Sequence, residues 1–167
     1  MKIRLDENLS YRIATALVAY MANKDGFEVT HNALVAQGEK DPSWLTKFAA
    51  DDGDMIISGD WKILQHWPDL VAYTESGLVS FFPPAPFGQM KGFARAAFIL
   101  RWWPAMIEKH KSSQRGDRWR IPFTWTPDPT KIAPIEDPRL KTDDQKRERQ
   151  INPIAKVHQI RPGGGSR

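Results

Sequence analysis

The apolar run Met55–Ile57 is the feature that most constrains the fold of this chain. Turn-forming residues bound it on both sides, at residues 51–53 and 58–60. A short, continuous apolar run between turns is typical of a central strand in a parallel sheet, because helices cover both faces of such a strand. Parallel neighbours also require crossover connections that are usually helical. The sequence therefore predicts an α/β fold.

Strand-like and helix-like segments alternate along most of the chain, which predicts βαβ units in a doubly wound, mostly parallel sheet flanked by helices. The predicted strands are residues 2–5, 27–30, 55–57, 78–82 and 119–125. The last is predicted at a sheet edge, because Pro122 cannot donate a hydrogen bond to a neighbouring strand. The predicted helices begin at Asn8 or Ser10, at Asp41 as the N-cap with Pro42 in the first helical position, and near residue 89. Pro104 is expected to kink or end the third of these helices.

The composition changes after the last predicted strand. Prolines become frequent, residues 142–150 are charged, and three glycines lie near the end of the chain. We therefore predict one domain over residues 1–127 and a partly disordered, proline- and charge-rich tail over residues 128–167. The tail has nine Lys/Arg against six Asp/Glu, so it accounts for most of the net charge of +4. Bulk charge thus indicates nucleic acid only weakly.

Several classes of protein are excluded or disfavoured by residue usage. The chain has no cysteine, which excludes disulfides, thiolate metal sites and cysteine nucleophiles. Its start becomes charged too early for a signal peptide, and no apolar run reaches the length of a membrane span. The four histidines share no spacing typical of metal ligands. We expect a cytoplasmic protein.

Three aspartates lie at positions that would bring them to one edge of the predicted sheet, either just after a strand or at the start of a helix. Asp6 follows the first strand, Asp60 follows the third, and Asp41 opens a helix. Helices of βαβ units begin at the edge where the strands end, which is where open α/β sheets bind ligands. Clustered carboxylates repel one another unless a cation or proton compensates them. Oxygen ligands of this kind suit Mg²⁺ or Mn²⁺ and could support hydrolysis of a phosphodiester. Each aspartate alone is equally compatible with a solvated strand end or a helix cap.

The segment from Ile3 to Leu9, a hydrophobic strand running into Asp-Glu-Asn-Leu, resembles the start of compact PIN-like domains. The later order of Asp41, an apolar helix, an apolar strand, Ser58 and Asp60 is similar to the same family. The resemblance implies a metal-dependent ribonuclease in which Asp6, Asp41 and Asp60 hold Mg²⁺ or Mn²⁺. Many members of the family are toxins of toxin–antitoxin pairs, so it also implies an RNA substrate, an antitoxin partner and a homodimer.

The same resemblance implies three supporting residues, Glu7, Asn8 and Ser58. Asn8 and Ser58 would orient the acids by hydrogen bonding. Larger PIN nucleases usually have a glutamate at the position of Asp41 and a fourth acid soon after the third. Glu7 could substitute for that fourth acid, although strand geometry sends it away from Asp6. The number of metal ions therefore stays open.

Basic residues around the long predicted helix are candidates for contact with RNA. We single out Lys62, Lys91 and Arg95, with Trp102 or Trp103 as stacking surfaces. The alternative is a solvated helix face with tryptophans in the core. Two other functions are open: a non-catalytic PIN-like module that binds protein or RNA, and a receiver-like phosphoacceptor. The second would require a lysine at the end of the fifth strand, where Thr124-Trp125-Thr126 has none.

Overall fold

The structure, a computed structural model, describes residues 1–21, 26–36, 38–60 and 67–136, without the side chains of Asp41, Trp67 and Pro68. Met1–Ile135 form one compact unit. The candidate RNA contact Lys62 and the charged segment at residues 142–150 lie outside the described residues.

The described residues form a six-stranded sheet in the order β2-β1-β3-β4-β5-β6. Neighbours among β1 to β5 are parallel, and β6 is antiparallel to β5. The strands are β1 (Lys2–Leu5), β2 (Glu28–His31), β3 (Met55–Ile57), β4 (Val79–Phe82), β5 (Arg118–Arg120) and β6 (Ala133–Pro134). The helices are α1 (Tyr11–Met21), α2 (Asn32–Val35), α3 (Asp41–Ala50), α4 (Trp67–Glu75) and α5 (Gly92–Lys111). The predicted mostly parallel α/β architecture is confirmed.

Strand β3 is buried along its whole length, as its apolar sequence predicts. Met55 and Ile57 belong to the core on the face covered by α1 and α5, whereas Ile56 belongs to the core on the opposite face. Side chains alternate between the faces of a strand, so a strand covered on both sides must be apolar at every position. This explains why the run Met55–Ile57 constrains the fold so strongly.

Helix α5 does not end at Pro104 but continues to Lys111. Proline removes the hydrogen bond to the carbonyl four residues earlier, at Leu100. Pro104 is exposed and Leu100 is 37% exposed, so water can reach the carbonyl that loses its donor. Trp102, Trp103 and Met106 on the other side of the helix are buried and anchor it across the proline.

The prediction for the fifth strand was wrong in extent and in position. The strand ends at Arg120 rather than near Trp125, and β6 pairs with its outer side, so it is not at the edge. The Ile121 amide donates to the Phe82 carbonyl at 2.9 Å, and Pro122 has no amide hydrogen with which to continue. The described chain past residue 128 also contributes structure: a 3-10 helix, Pro129–Lys131, is followed by the buried Ile132 and by β6.

The predicted cap of α3 is off by one residue, and one of the two caps predicted for α1 lies next to that helix. Helix α3 begins at Asp41 itself, with Lys40 as its N-cap, so the assignment of Asp41 as the cap was wrong by one position. Of the two residues predicted to start α1, Ser10 is adjacent to it, and its Oγ accepts a hydrogen bond from the Arg12 amide at 3.4 Å.

Candidate active site at the carboxyl edge of the sheet

The site lies where β1 and β3 end side by side. Leu5 is aligned with Ile57, and the Asp6 amide donates to the Ile57 carbonyl at 3.0 Å. The chain passes from β1 to β2 on one side and returns to β3 on the other, so this is the point at which the strand order reverses. Loops diverge at such a point and leave a crevice outside the strand ends. Asp6 is the first residue past β1 in that position.

The Asp6 side chain is fully buried, with 0% of its surface exposed. Its Oδ2 accepts hydrogen bonds from the Ser58 hydroxyl at 2.5 Å and from the Asn8 side-chain amide at 3.3 Å. Its Oδ1 accepts a long one, 3.5 Å, from the Asn8 backbone amide. Every one of these donors is neutral. Oδ1 is therefore the carboxylate oxygen with the most remaining capacity to bind another group.

Ser58 connects the two loops that carry the candidate acids. While it donates to Asp6, its Oγ accepts a hydrogen bond from the Asp60 backbone amide at 3.2 Å. Its own amide donates to the Phe81 carbonyl of β4 at 3.1 Å. Ser58 is buried and Asp60 is half-buried. The hydroxyl thus fixes the Asp60 backbone relative to the Asp6 carboxylate.

Gly59 allows these loops to approach closely. A Cβ at this position would lie 3.2 Å from Leu9 Cδ2 and 3.3 Å from the Asn8 carbonyl oxygen. Both distances are shorter than ordinary van der Waals contact between such atoms. The glycine between Ser58 and Asp60 is therefore explained by packing against the loop that follows Asp6.

His31 supports the Asp6 loop, a role that its sequence spacing did not indicate. It ends β2 beside Leu5 and is 2% exposed. Its Nδ1 accepts from the Ala33 amide at 3.1 Å, and its Nε2 lies 2.8 Å from the Leu9 carbonyl oxygen. An Nδ1 that accepts requires the tautomer with hydrogen on Nε2, which then donates to Leu9. The imidazole thereby ties the loop to the end of β2.

Helix α3 brings the backbone of Asp41 to the same edge. At the other end of α3, Lys2 Nζ donates to the Asp51 carbonyl at 2.6 Å, and Lys2 begins β1. The C-terminal end of α3 therefore lies at the edge where strands begin, and its first residue lies towards the edge where they end. Among the described side chains, which exclude that of Asp41, no group of three or more His, Asp or Glu forms a metal-binding cluster.

The model of the family described as "PIN like domain" matches residues 1–85 of the chain, just over half of its length. The chain belongs to the PIN-like domain family. The PIN-like domain is a nuclease-type fold, and its members usually use divalent metal ions. The match spans β1 to β4 and includes all three candidate aspartates, whereas α5, β5 and β6 lie beyond it. No curated protein and no solved structure gives a significant match.

The remaining candidates in this PIN-like chain occupy different environments. Glu7 is exposed and does not take part in the hydrogen bond between Asp6 and Ser58. Lys91 is also exposed and lies just before α5. Arg95 is partly committed to structure, because its guanidinium donates to the Met90 and Gly88 carbonyls at 2.8 and 2.6 Å.

Trp102 and Trp103 are core residues, as in the alternative that the sequence favoured, and not stacking surfaces. They are 0% and 6% exposed and belong to the core between α5 and the sheet. No helix in the described part of the chain is long and apolar enough to cross a membrane.

Proposed function

We propose that this PIN-like protein is a Mg²⁺- or Mn²⁺-dependent endoribonuclease, with Asp6, Asp41 and Asp60 as its metal-site acids. The observation that supports this most is the fully buried Asp6 carboxylate, which receives hydrogen bonds from neutral donors beside the loop of Asp60.

Asp6 is a buried carboxyl group, and all of its hydrogen-bond donors are neutral. Transfer of a carboxylate from water into a protein interior costs on the order of several kcal/mol unless an opposite charge compensates it. Three hydrogen bonds from neutral groups, one of them long, recover only part of that cost. A cation would recover the rest, and the location at a ligand-binding crevice favours one.

The donor set fits a hard divalent cation. Mg²⁺ needs one or two carboxylates and keeps several waters for contact with substrate phosphates. Asp6 Oδ1 and the Asp60 carboxylate could supply them, and the backbone position of Asp41 makes it the candidate for a third. A cation held there would lower the pKa of a water molecule and offset the charge that develops on a phosphodiester.

The protein's own residues would act by holding these acids in place. Ser58 and Asn8 restrict the Asp6 carboxylate to one orientation, and Ser58 also restricts the Asp60 backbone. Hydrogen bonds of this kind to metal ligands commonly change metal affinity or activity by about 10- to 100-fold when removed. His31 positions the loop of Asp6 from outside the site.

RNA as the substrate, a toxin role, an antitoxin partner, a homodimer and a cytoplasmic location complete the proposal. They are supported by the resemblance of the segments from Ile3 to Leu9 and from Ser58 to Asp60 to compact PIN-like domains, a family with many toxins of toxin–antitoxin pairs.

The test is calorimetric titration of Mn²⁺ into wild type, Asp6→Asn, Asp60→Asn and Asp41→Asn, with RNA cleavage assayed on the same samples. Asp52→Asn is the matched control, because Asp52 is an exposed aspartate in the turn after α3, at the opposite edge of the sheet. We expect saturable binding and cleavage in wild type and Asp52→Asn, and loss of both in Asp6→Asn and Asp60→Asn. Full cleavage by Asp6→Asn would refute the site assignment.

The second candidate is a non-catalytic PIN-like module that binds protein or RNA. It is favoured by the sequence, in which no acid soon after Asp60 lies in a motif typical of the fourth acid of larger PIN nucleases. Wild type without Mn²⁺ binding would support this function over the nuclease.

A further inference from the structure

A small apolar pocket opens between α5 and the loop that follows β5. Its volume is about 320 Å³, and its lining includes Met90, Ala97, Phe98, Arg101, Phe123 and Trp125. This volume lies at the lower limit for sites that bind small molecules, so the pocket suits a single planar group rather than a helix of a partner. All the lining residues lie beyond residue 85, where the match to the PIN-like family ends.

Two aromatic side chains of the pocket are unusually exposed. Trp125 is 77% exposed and Phe123 is 59% exposed. Both rings line the same apolar pocket, so their exposure there favours a binding surface. Unlike Trp102 and Trp103, these rings are available for stacking. Phe93 and Tyr20 are also exposed, but neither lines the pocket.

Arg101 fixes the orientation of the exposed tryptophan. Its guanidinium carbon lies 3.3 Å from the centre of the Trp125 ring, and its Nη1 donates to the Trp125 carbonyl at 3.0 Å. A planar cation stacked on one face of an indole holds it by cation–π attraction and leaves the other face for a second planar group. The ring is thus ordered before any ligand binds.

The charge around the pocket favours an anionic ligand. Residues 76–107 and 118–127, which contain both walls, include no aspartate or glutamate. They include five basic residues, of which Arg118 is buried and the other four are at least partly exposed: Lys91, Arg95, Arg101 and Arg120. An aromatic surface on segments that carry basic and no acidic residues is the combination that binds single-stranded nucleic acid.

The pocket and the candidate acids share one edge of the sheet. The loop with Phe123 and Trp125 follows the carboxyl end of β5, and α5 begins after the carboxyl end of β4. Three strand spacings separate β1 from β5 in the order β1-β3-β4-β5. At about 4.8 Å per spacing, the end of β5 lies roughly 14 Å along the edge from the end of β1, a span that a few nucleotides of a single strand can cover.

We propose that this pocket binds one nucleobase of a single-stranded RNA whose backbone runs along the carboxyl edge to the acids. The base stacks on the exposed face of Trp125 and against Phe123, while Lys91 and Arg120 contact phosphates. This inference rests on the proposed function and adds to it a base subsite built by the part of the chain beyond the family match.

The test measures anisotropy of a labelled, unstructured RNA of about ten nucleotides in EDTA, so that no cleavage takes place. Trp125→Ala and Phe123→Ala are compared with wild type and with Tyr20→Ala, which removes an aromatic ring 84% exposed on α1. We expect each pocket variant to bind roughly five- to a hundredfold more weakly, and Tyr20→Ala to bind like wild type. Trp125→Phe should recover most of the affinity, and thermal unfolding verifies that all variants fold.

A second arm identifies base stacking directly. Single nucleotides of the RNA are replaced in turn by abasic ones, and each RNA is titrated with wild type and with Trp125→Ala. We expect abasic substitution at a particular position to weaken binding to wild type but not to Trp125→Ala, because both changes remove the same contact. Additive losses at every position would overturn the proposal.

Cleavage with Mn²⁺, assayed separately, distinguishes the two proposals. RNA binding that depends on Trp125, without any cleavage, would refute the nuclease and leave the base subsite standing. If wild type cleaves RNA but the pocket variants bind RNA with the same affinity as Tyr20→Ala, the subsite alone is refuted. Absence of RNA binding by wild type would overturn the subsite and leave the apolar pocket to a partner protein.

Discussion

The Ser58 hydroxyl donates a 2.5 Å hydrogen bond to Asp6 Oδ2 across 52 positions of sequence, and the same oxygen accepts from the Asp60 amide. One small side chain therefore sets both the orientation of the buried carboxylate and the position of the loop beside it.

Replacement of Ser58 by alanine should destabilise the protein by about 1–3 kcal/mol, because it leaves Asp6 Oδ2 buried with one hydrogen bond fewer. It should also weaken Mn²⁺ binding. Ser80→Ala is the matched control: Ser80 is equally buried on β4, and its hydroxyl has no hydrogen-bond partner among the described residues. Chemical denaturation of both variants checks this, and equal losses would contradict the role of Ser58.

Asp6→Asn should raise the thermal stability of the metal-free protein while it abolishes Mn²⁺ binding. The amide keeps the shape of the side chain and removes a buried charge, whose desolvation opposes folding. Melting temperatures with EDTA and with Mn²⁺ test this: wild type should be stabilised by Mn²⁺ and the variant should not. A variant less stable than wild type in EDTA would show that the charge of Asp6 is compensated without metal.

His31→Ala should lower the free energy of unfolding by about 2–4 kcal/mol. It removes two hydrogen bonds, leaves the Leu9 carbonyl without this donor and creates a cavity. Because His31 holds the loop of Asp6, Mn²⁺ affinity should fall in the variant that remains folded. His110→Ala, on a half-buried position of the last turn of α5, is the control for loss of an imidazole. Unchanged Mn²⁺ affinity in folded His31→Ala would limit this histidine to a structural role.

Gly59→Ala should separate the loops after β1 and β3, since its Cβ would lie 3.2 Å from Leu9 and 3.3 Å from Asn8. We expect a stability loss of about 1–3 kcal/mol, as for other overpacked sites, and weaker Mn²⁺ binding. Gly92→Ala is the control: a Cβ there meets nothing within 4 Å, and alanine at the start of α5 should be neutral or stabilising. Calorimetry and thermal unfolding measure both effects.

The pH dependence of stability should include a contribution from Asp128, which caps the 3-10 helix before Ile132. Hydrogen bonds from the Thr130 hydroxyl and then from its amide lower the pKa of Asp128. A depressed pKa in the folded state stabilises the protein above the unfolded pKa of about 4, and the effect is lost as pH falls through the folded value. Asp128→Asn should therefore melt below wild type at pH 6, with a difference that shrinks at acidic pH. A difference in melting temperature that does not change with pH would show that the charge of Asp128 does not contribute to stability.

The sequence by itself determined the framework and the positions of the acids. An apolar run such as Met55–Ile57 has few stable locations other than the centre of a parallel sheet, because every side chain must be buried. A parallel sheet in turn sends the residues after each strand to one edge, so Asp6 and Asp60 could be assigned to that edge from their positions alone.

Only the tertiary structure decided what surrounds these residues. The burial of Asp6, its bond to Ser58 and the support from His31 depend on contacts between distant segments, which local patterns do not encode. For the same reason, alternation at residues 119–125 did not reveal that β6 covers β5 while Trp125 stays exposed. Local propensity depends on neighbours along the chain, whereas burial and hydrogen bonding depend on neighbours in space.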